Sequence, residues 1–184
     1  MVQAIWARIQ YYFLYIIKFH GDNVAFLRYL GVKIGDRCLI SASIHNFGTE
    51  PWLVEIGNDV SITDGVILLT HDGSSRVFRN KQPEMNKRYG NRFATIKIND
   101  NCFIGINSII MPGVTIGPDA IVGSGSIVTK DVPEGSVVAG NPARVISSLD
   151  GYIERYKNKS IQVTALNREA LRSELTRKLW GDER

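Results

Sequence analysis

Cysteine, histidine and long apolar runs are all scarce in this 184-residue sequence, which holds two cysteines and three histidines. Cys38 and Cys102 can form at most one bridge, which excludes a disulfide framework and favours a reducing, cytoplasmic setting. The longest apolar run, residues 11–17, is far short of the ~18 residues that a membrane-spanning helix needs. We expect neither a membrane span nor a signal peptide.

A strong charge of one sign is also absent. The chain has 22 Lys and Arg against 18 Asp and Glu, a net charge of +4, which is too weak to indicate a nucleic-acid partner. One segment, residues 71–95, concentrates basic residues around the acidic Asp72 and Glu84. Its basic residues are Arg76, Arg79, Lys81, Lys87, Arg88 and Arg92. Two interpretations stay open, a solvated surface loop and a lid whose Arg and Lys side chains attract phosphate groups or an anionic acceptor.

Aromatic residues are concentrated near the start of the chain, where residues 1–30 hold 8 of the 17. The apolar residues there follow the spacing of a helical stripe: Ile5, Ile9, Tyr12, Phe13 and Ile16. This spacing predicts a helix to about Lys18 and a second over residues 23–30. Such a stripe packs on the main domain or on a neighbouring subunit, or it contacts a membrane surface, where Tyr and Trp favour the headgroup layer.

The period changes to six after this segment. Aliphatic residues occupy the first position of six consecutive hexads: Ile98, Ile104, Ile110, Ile116, Val122 and Val128. Small residues occupy the fifth position: Cys102, Ser108, Val114, Ala120, Ser126 and Val132. This pattern is typical of the hexapeptide β-helix, in which three hexads form one triangular coil. It predicts a mainly β fold, a left-handed parallel β-helix, with the turns supplied at the second position by Gly105, Gly117 and Gly123.

The same period appears upstream at Ile34, Ile40, Ile56, Ile62 and Leu68. An insertion near residues 47–53 and an excursion over residues 70–95 interrupt it, and both are expected to leave the solenoid as loops. We therefore divide the chain into an N-terminal helical segment (1–30), a β-helix domain (31–148) and a helical tail (149–184). Helical spacing in the tail predicts a helix over about residues 165–179, with Thr164 capping its start and Gly181 its end.

Three motifs go beyond the repeat: VEIGNDVSITDGVILLTHDGS (54–74), IKINDNCFIGINSIIMPGVTIG (96–117) and GSGSIVTKDVPEGSVVAGNPARVI (123–146). Over residues 56–146 the chain resembles the xenobiotic, galactoside and maltose acetyltransferases and the bacterial sugar O-acetyltransferases of capsule and lipopolysaccharide synthesis. The resemblance implies a homotrimer that binds acetyl-CoA in a groove between neighbouring solenoids. It also implies an acetyl-CoA-dependent O-acetyltransferase that acetylates a sugar hydroxyl of a cell-surface glycan or its precursor.

The resemblance also assigns site residues. His71 falls where the family has its catalytic histidine. The positions that line the cofactor groove fall on Gly105, Ile106, Ser124, Thr129, Lys130 and Arg144. Two departures from the family pattern are Ile106, where some relatives have a serine, and Ser147, which replaces a second basic residue.

Transfer of an acetyl group to a hydroxyl needs a base, and an imidazole, with an ordinary pKa near ~6.5, suits that role at cytoplasmic pH. His71 would take the proton, backbone N–H groups would hold the oxyanion, and no covalent enzyme intermediate would form. Glu50 and Asp72 are candidates to orient the imidazole or to bind the acceptor, and Arg76 is a candidate acceptor contact. Both cysteines occupy inward fifth positions and are expected to be packing groups, which disfavours a ping-pong nucleophile.

Four alternatives stay open. A zinc hydratase needs three converging histidines, and His20, the one outside the solenoid, speaks against it, so we expect no metal. An N-acetyltransferase of an amino sugar is the nearest enzymatic rival. A catalytically silent trimeric scaffold would have lost His71, Lys130 and Arg144. A nucleotidyltransferase tail would follow a glycine-rich nucleotide-binding segment, and we find none before residue 34, which favours a stand-alone protein.

Overall fold

The computed structural model describes residues 13–157 and 159–181. Most strands belong to three sheets, which the chain enters in rotation. Sheet A has the order β1 (Lys33–Ile34), β3 (Val54–Ile56), β8 (Ile96–Ile98), β11 (Thr115–Ile116). Sheet C has the order β13 (Ile127–Val128), β10 (Ile109–Ile110), β5 (Ile67–Leu68). Sheet B has the order β15 (Ala143–Ser148), β14 (Ser136–Gly140), β12 (Ile121–Val122), β9 (Phe103–Ile104), β4 (Ser61–Ile62), β2 (Leu39–Ile40).

The first-position aliphatic residues lie in register within each sheet. Ile56 pairs with Ile98 in sheet A, Ile62 with Ile104 in sheet B, and Leu68 with Ile110 in sheet C, all between parallel strands. All of these side chains are buried, as are the fifth-position residues from Cys102 to Val132. The six-residue period therefore stacks equivalent residues one above another in a single hydrophobic core.

The turns of the repeat correct one expectation, because the left-handed backbone lies at the fourth position of the hexads. A positive φ occurs there at Arg37, Asp59, Gly65, Asn101, Asn107, Gly113, Asp119 and Gly125. The second-position Gly105 serves another purpose: a Cβ there would lie 2.5 Å from the backbone N of Ser124. Glycine is needed at Gly105 because successive turns of the chain approach closely. Of the three predicted turn glycines, Gly117 has a positive φ (+68°).

A short helix closes the first turn of the repeat. Helix α1 (Asn23–Tyr29) begins at Asp22, whose carboxylate accepts from the N–H of Ala25, and it contacts β1 and β2. Its Phe26 and Leu27 are fully buried, and the Asn23 side-chain amide donates to the carbonyl of Ile40 at 2.9 Å. The predicted second helix is confirmed, and it covers an end of the core that would otherwise be exposed.

Residues 13–19 are also helical, so the described part of the first predicted helix agrees with the sequence, while residues 1–12 lie outside the described residues. The rings of Tyr15 and Phe19 each meet the Phe26 ring edge-on at 5.2 Å. This face therefore packs against the hydrophobic core, to which Phe26 belongs. The opposite face exposes Phe13, Ile16 and Ile17.

The excursion from the repeat has structure of its own. An antiparallel pair closes its base, β6 (His71–Asp72) with β7 (Arg92–Phe93), and pairs His71 with Phe93. Between them lie helix α2 (Ser75–Lys81) and a 3-10 helix (Pro83–Lys87). A second 3-10 helix (Pro51–Leu53) lies in the predicted insertion, after one at Ile44–Asn46.

The described chain falls into two compact units, one within Met1–Asp150 and the other within Gly151–Arg184. Helix α3 (Leu149–Tyr156) was not predicted, and helix α4 (Arg168–Trp180) is capped by Asn167 and ends at Gly181. The Thr164 cap is wrong: the Thr164 N–H donates to the Glu174 carboxylate at 3.1 Å instead. The division into residues 1–30, 31–148 and 149–184 stays a prediction. Within residues 13–157 and 159–181, no helix is both long and apolar enough to cross a membrane.

Candidate active site

His71 and Glu50 form the centre of the candidate site. His71 lies just after β5, beyond the C-terminal end of this strand of sheet C. Glu50 directly precedes the 3-10 helix of the insertion. The insertion folds back so that Glu50 Oε2 lies 3.0 Å from His71 Nδ1, with side-chain exposures of 17% and 35%. An ionised carboxylate only accepts hydrogen bonds, so this contact places a proton on Nδ1 and leaves the lone pair on Nε2.

Two threonines hold the Glu50 carboxylate. The Thr70 hydroxyl donates to Oε2 at 2.6 Å, and the Thr49 hydroxyl donates to Oε1 at 2.5 Å. These two hydrogen bonds, followed by the contact with His71, hold the pKa of Glu50 below its ordinary value despite its partial burial. The carboxylate therefore stays ionised at neutral pH, in a fixed orientation towards the imidazole.

A glycine makes this arrangement sterically feasible. Gly48 has φ +69°, and a Cβ on it would lie 2.2 Å from the Thr70 hydroxyl oxygen. Thr70 is itself 1% exposed. The local sequence Gly48-Thr49-Glu50 thus combines a left-handed turn, a hydroxyl and a carboxylate that meet Thr70 and His71.

Asp72 has a different role from Glu50. Its carboxylate accepts from the backbone N–H of Ser74 at 2.7 Å and from the Ser74 hydroxyl at 3.0 Å, and these bonds lower its pKa. It therefore shapes the turn into helix α2. The Phe93 ring, opposite His71 in the hairpin, lies 5.4 Å from the imidazole and is 54% exposed.

The residues assigned to the cofactor groove lie at separate places on the chain. Gly105, Ile106 and Ser124 lie in the connections from sheet B to sheet C, where the Gly125 N–H donates to the carbonyl of Ile106 at 2.8 Å. Gly105 donates its own N–H to Val122 at 2.8 Å and is buried, whereas Ile106 and Ser124 are exposed.

Thr129 and Lys130 follow β13 and are exposed, at the same edge of sheet C as His71. One strand, β10, lies between β5 and β13, so the C-terminal ends of β5 and β13 are about 10 Å apart. Arg144 is exposed on β15 in sheet B. The chain thus places His71, Thr129 and Lys130 at one edge of sheet C, where its strands end, and Gly105, Ile106 and Ser124 at the opposite edge, where its strands begin.

The remaining candidates are peripheral to this centre. Arg76 is exposed on helix α2. Cys102 is buried and burial raises its pKa, as expected for a packing group, whereas Cys38 in the first turn of the repeat is only partly buried. The described residues contain no group of three or more His, Cys, Asp or Glu placed to hold a metal ion.

The outward sixth position of the hexads is a feature that sequence reasoning missed. In sheet C this position carries Ile67, Ile109 and Ile127, which pair in register and are partly exposed. In sheet A the corresponding positions carry Lys33, Glu55 and Lys97, and Lys33 pairs with Glu55 at 3.4 Å. A comparison of the sixth residue in every third hexad would reveal this difference, because that residue is charged on the outer face of sheet A and apolar on the outer face of sheet C.

Comparison with known proteins identifies the repeat. Residues 95–130 match the family model "Bacterial transferase hexapeptide (six repeats)". Protein CapG of Staphylococcus aureus is 46% identical over 127 residues, 68% of this chain and 71% of that protein. Galactoside O-acetyltransferase of Escherichia coli is 36% identical over 114 residues, and the match spans 62% of this chain and 53% of that enzyme.

A solved structure has a similar fold. The hexapeptide-repeat-containing acetyltransferase of Vibrio cholerae, crystallised with acetyl coenzyme A, superposes with a TM-score of 0.57 at 26% identity, covering 71% of this chain and 78% of that one. The repeat, the long match to Protein CapG and the shared architecture lead to one conclusion. The chain belongs to the family of hexapeptide-repeat acetyltransferases.

Proposed function

We propose that this protein transfers an acetyl group from acetyl-CoA to a sugar hydroxyl of a cell-surface glycan or its precursor, with His71 as the general base. The observation that carries the proposal is the contact of His71 Nδ1 with the clamped Glu50 carboxylate. It leaves Nε2 of a partly exposed imidazole available to accept a proton. The acetyl-CoA complex of the Vibrio cholerae relative supports the predicted co-substrate.

The reaction follows from this geometry. Nε2 takes the hydroxyl proton as the acceptor oxygen attacks the thioester carbonyl, and the resulting imidazolium is stabilised by Glu50. Collapse of the tetrahedral intermediate breaks the C–S bond, and the proton passes from His71 to the departing thiolate. The products are the acetyl ester and CoA, and no covalent enzyme intermediate forms. The same base would serve an N-acetyltransferase of an amino sugar, which is the second candidate.

We further infer that three copies assemble around sheet C as a homotrimer of left-handed β-helices. The stacked Ile67, Ile109 and Ile127 form an apolar strip on the outer face of this sheet. His71 lies at one edge of the strip and Ser124 at the other. Packing of two copies along it would bring the base of one protomer close to the opposite edge of its neighbour, which accounts for the separation of the two groups of residues in one chain.

Contacts with acetyl-CoA are proposed for both edges. Gly105, Ile106, Ser124 and Thr129 would line the pantetheine arm, and Lys130 and Arg144, both exposed cations, would neutralise its phosphates. The basic residues Arg76 and Arg79 of helix α2 are proposed to attract an anionic acceptor or the same phosphates. Reversing both charges should raise a Michaelis constant and flatten or invert its dependence on salt, because an attraction that salt weakens is replaced by a repulsion that salt relieves. Unchanged constants would assign them to a solvated surface.

Thiol release from acetyl-CoA across a panel of nucleotide sugars and oligosaccharides tests the function directly. His71→Ala should abolish most turnover without changing the oligomeric state. His45→Ala, at another exposed imidazole, is the matched control and should keep wild-type turnover. Near-normal activity of His71→Ala would remove His71 as the base, and absence of transfer to any acceptor by the wild type would favour the silent scaffold.

Ile109→Lys tests the assembly. A charge in the apolar strip should convert the trimer to monomers in sedimentation velocity, whereas Lys97→Ile on the charged face of sheet A should not. Activity should fall with Ile109→Lys, because the base and the opposite edge would no longer meet. A fully active monomer would contradict the shared site.

We also propose that the enzyme works in the cytoplasm, at the inner face of the membrane, through its N-terminal segment. The exposed Phe13, Ile16 and Ile17 form an apolar face beside Lys18, as interfacial helices do. Flotation with anionic liposomes tests this contact, and Phe13→Ser with Ile17→Ser should reduce it. A wild-type protein that stays at the bottom of the gradient would refute it.

A further inference from the structure

An exposed aromatic ring lies beside the proposed general base. Phe93 is 54% exposed, and its ring centroid lies 5.4 Å from that of His71 with the planes tilted by 40°. A single exposed apolar side chain is common on protein surfaces. Phe93 differs from such a residue because the structure fixes it next to the reacting groups.

The hairpin at the base of the excursion provides this fixation. Phe93 is the register partner of His71 between β6 and β7, and its neighbour Ala94 donates its backbone N–H to the Thr70 carbonyl at 3.1 Å. Thr70 is the same buried residue that holds Glu50. These backbone contacts therefore connect the strand that carries Phe93 both to His71 and to Thr70, the residue before it.

The orientation of the imidazole indicates on which side its Nε2 atom lies. Because Nδ1 faces Glu50, the reactive Nε2 lies on the opposite side of the ring, away from the insertion. A molecule resting on Phe93 would be held beside the imidazole. A pyranose is suited to this position, since one face of its ring presents C–H groups and its edge presents hydroxyls.

We propose that Phe93 is the platform for the acceptor, which stacks the C–H face of a hexopyranose ring on it and presents a hydroxyl to His71. This inference rests on the proposed function and deepens it, because it selects cyclic sugars over open-chain alcohols. Aromatic rings supply apolar contact at low entropic cost in such sites, while a few polar groups fix orientation. Phe93 is thus a specificity-determining residue and takes no part in proton transfer.

Kinetics with two kinds of acceptor test the platform. Methyl hexopyranosides of glucose, galactose and N-acetylglucosamine supply the ring face, and glycerol supplies hydroxyls without it. Phe93→Ala should lower kcat/KM for the preferred pyranoside about 3- to 10-fold, the range expected for loss of one aromatic stack. It should leave kcat/KM for glycerol and the KM for acetyl-CoA within about twofold, as follows for a residue that contacts only the sugar ring.

Phe93→Trp should retain the preference for pyranosides, and Phe93→Leu should lose most of it, since leucine keeps the apolar character without a flat ring. Phe103→Ala is the matched control, because Phe103 is 43% exposed on the outer face of sheet B. Thermal melts of all variants show whether they fold. An equal loss with pyranosides and glycerol, or a rise in the KM for acetyl-CoA, would overturn the platform.

Saturation-transfer NMR on the same methyl glycosides separates this inference from the reaction itself. Binding that weakens in Phe93→Ala, without any acetyl transfer by the wild type, would support the platform and refute the proposed function. Acetyl transfer to pyranosides that is unaffected in Phe93→Ala would support the proposed function and refute the platform. Absence of both binding and transfer would overturn both.

Discussion

Replacing Glu50 with glutamine should lower kcat about 10- to 150-fold while leaving the fold intact. The carboxylate of Glu50 accepts hydrogen bonds from Thr49, Thr70 and His71, and a glutamine fills the same space. A hydrogen bond to a charged group contributes about 1.5–3 kcal/mol, and about 1.4 kcal/mol corresponds to tenfold in rate. The charge is needed most when the imidazolium forms, so the loss should fall on kcat more than on either KM.

The amide has a second effect. Its nitrogen can only donate, so if it faces His71 it favours the tautomer with the lone pair on Nδ1, which removes the base from Nε2. Thiol release at saturating concentrations of both substrates measures the change. Glu55→Gln, at an exposed carboxylate paired with Lys33 on sheet A, is the matched control and should keep wild-type turnover.

The hydrogen bonds from Thr49 and Thr70 to Glu50 allow an independent test of the same role. Thr70→Val keeps the volume of a buried residue and removes the hydroxyl that donates to Glu50. It should cause a smaller loss of kcat than Glu50→Gln, because Thr49 still holds the other oxygen. Thr63→Val, which removes a hydroxyl bonded to the Ile104 carbonyl at 2.7 Å, controls for the general cost of a lost hydrogen bond. Turnover of Glu50→Gln within threefold of the wild type would refute the orienting role.

Three further predictions concern the fold and its pH dependence. Gly105→Ala should destabilise the protein by about 2–4 kcal/mol in urea unfolding, because the new Cβ would lie 2.5 Å from the backbone N of Ser124. The control Gly90→Ala should leave stability unchanged, because nothing lies within 4 Å of a Cβ at that position. Cys102→Ala should keep full turnover, and a dead variant that still folds would revive a thiol mechanism. The pKa of Glu50 is lowered in the folded state, so its ionised form stabilises the fold above its ordinary pKa of ~4.3. The difference in unfolding free energy between the wild type and Glu50→Gln should therefore be constant at neutral pH and shrink as the pH falls through the lowered pKa; a gap that widens on acidification would contradict this sign.

The sequence predicted the interior of the fold well because burial repeats with the period. The first and fifth positions of the hexads face the core, and a residue such as Ile104 meets the same environment as Ile62 one turn earlier. The prediction that the second residue of each hexad forms the turn is wrong, because glycine at this position does not by itself indicate a left-handed backbone. At Gly105 glycine reflects contact between neighbouring turns, and the left-handed residues of the fourth position include Asp and Asn, which tolerate that conformation.

The candidate site was predictable in part. His71 stood out because the period stops after it, and Glu50 was one of two acidic residues near it in sequence. The choice between Glu50 and Asp72 depended on how the insertion folds back, which no periodicity encodes. The hydroxyl donors Thr49 and Thr70 and the ring of Phe93 were missed for the same reason. They belong to two irregular segments whose pairing, such as that of His71 with Phe93, is visible only in three dimensions.

The arrangement explains why a fold so regular in its interior can carry a specific reaction. Core positions must stay aliphatic or small, so chemistry is confined to the connections and to the outward sixth position. On sheet C that position is isoleucine in each of the strands β5, β10 and β13, which favours association along this face. The two excursions from the repeat supply Glu50 and Phe93, and both lie close to His71 at one edge of the same sheet. In the proposed trimer, the residues at the opposite edge meet the proposed base only across a subunit boundary, so activity and assembly should be lost together when the isoleucine strip is charged.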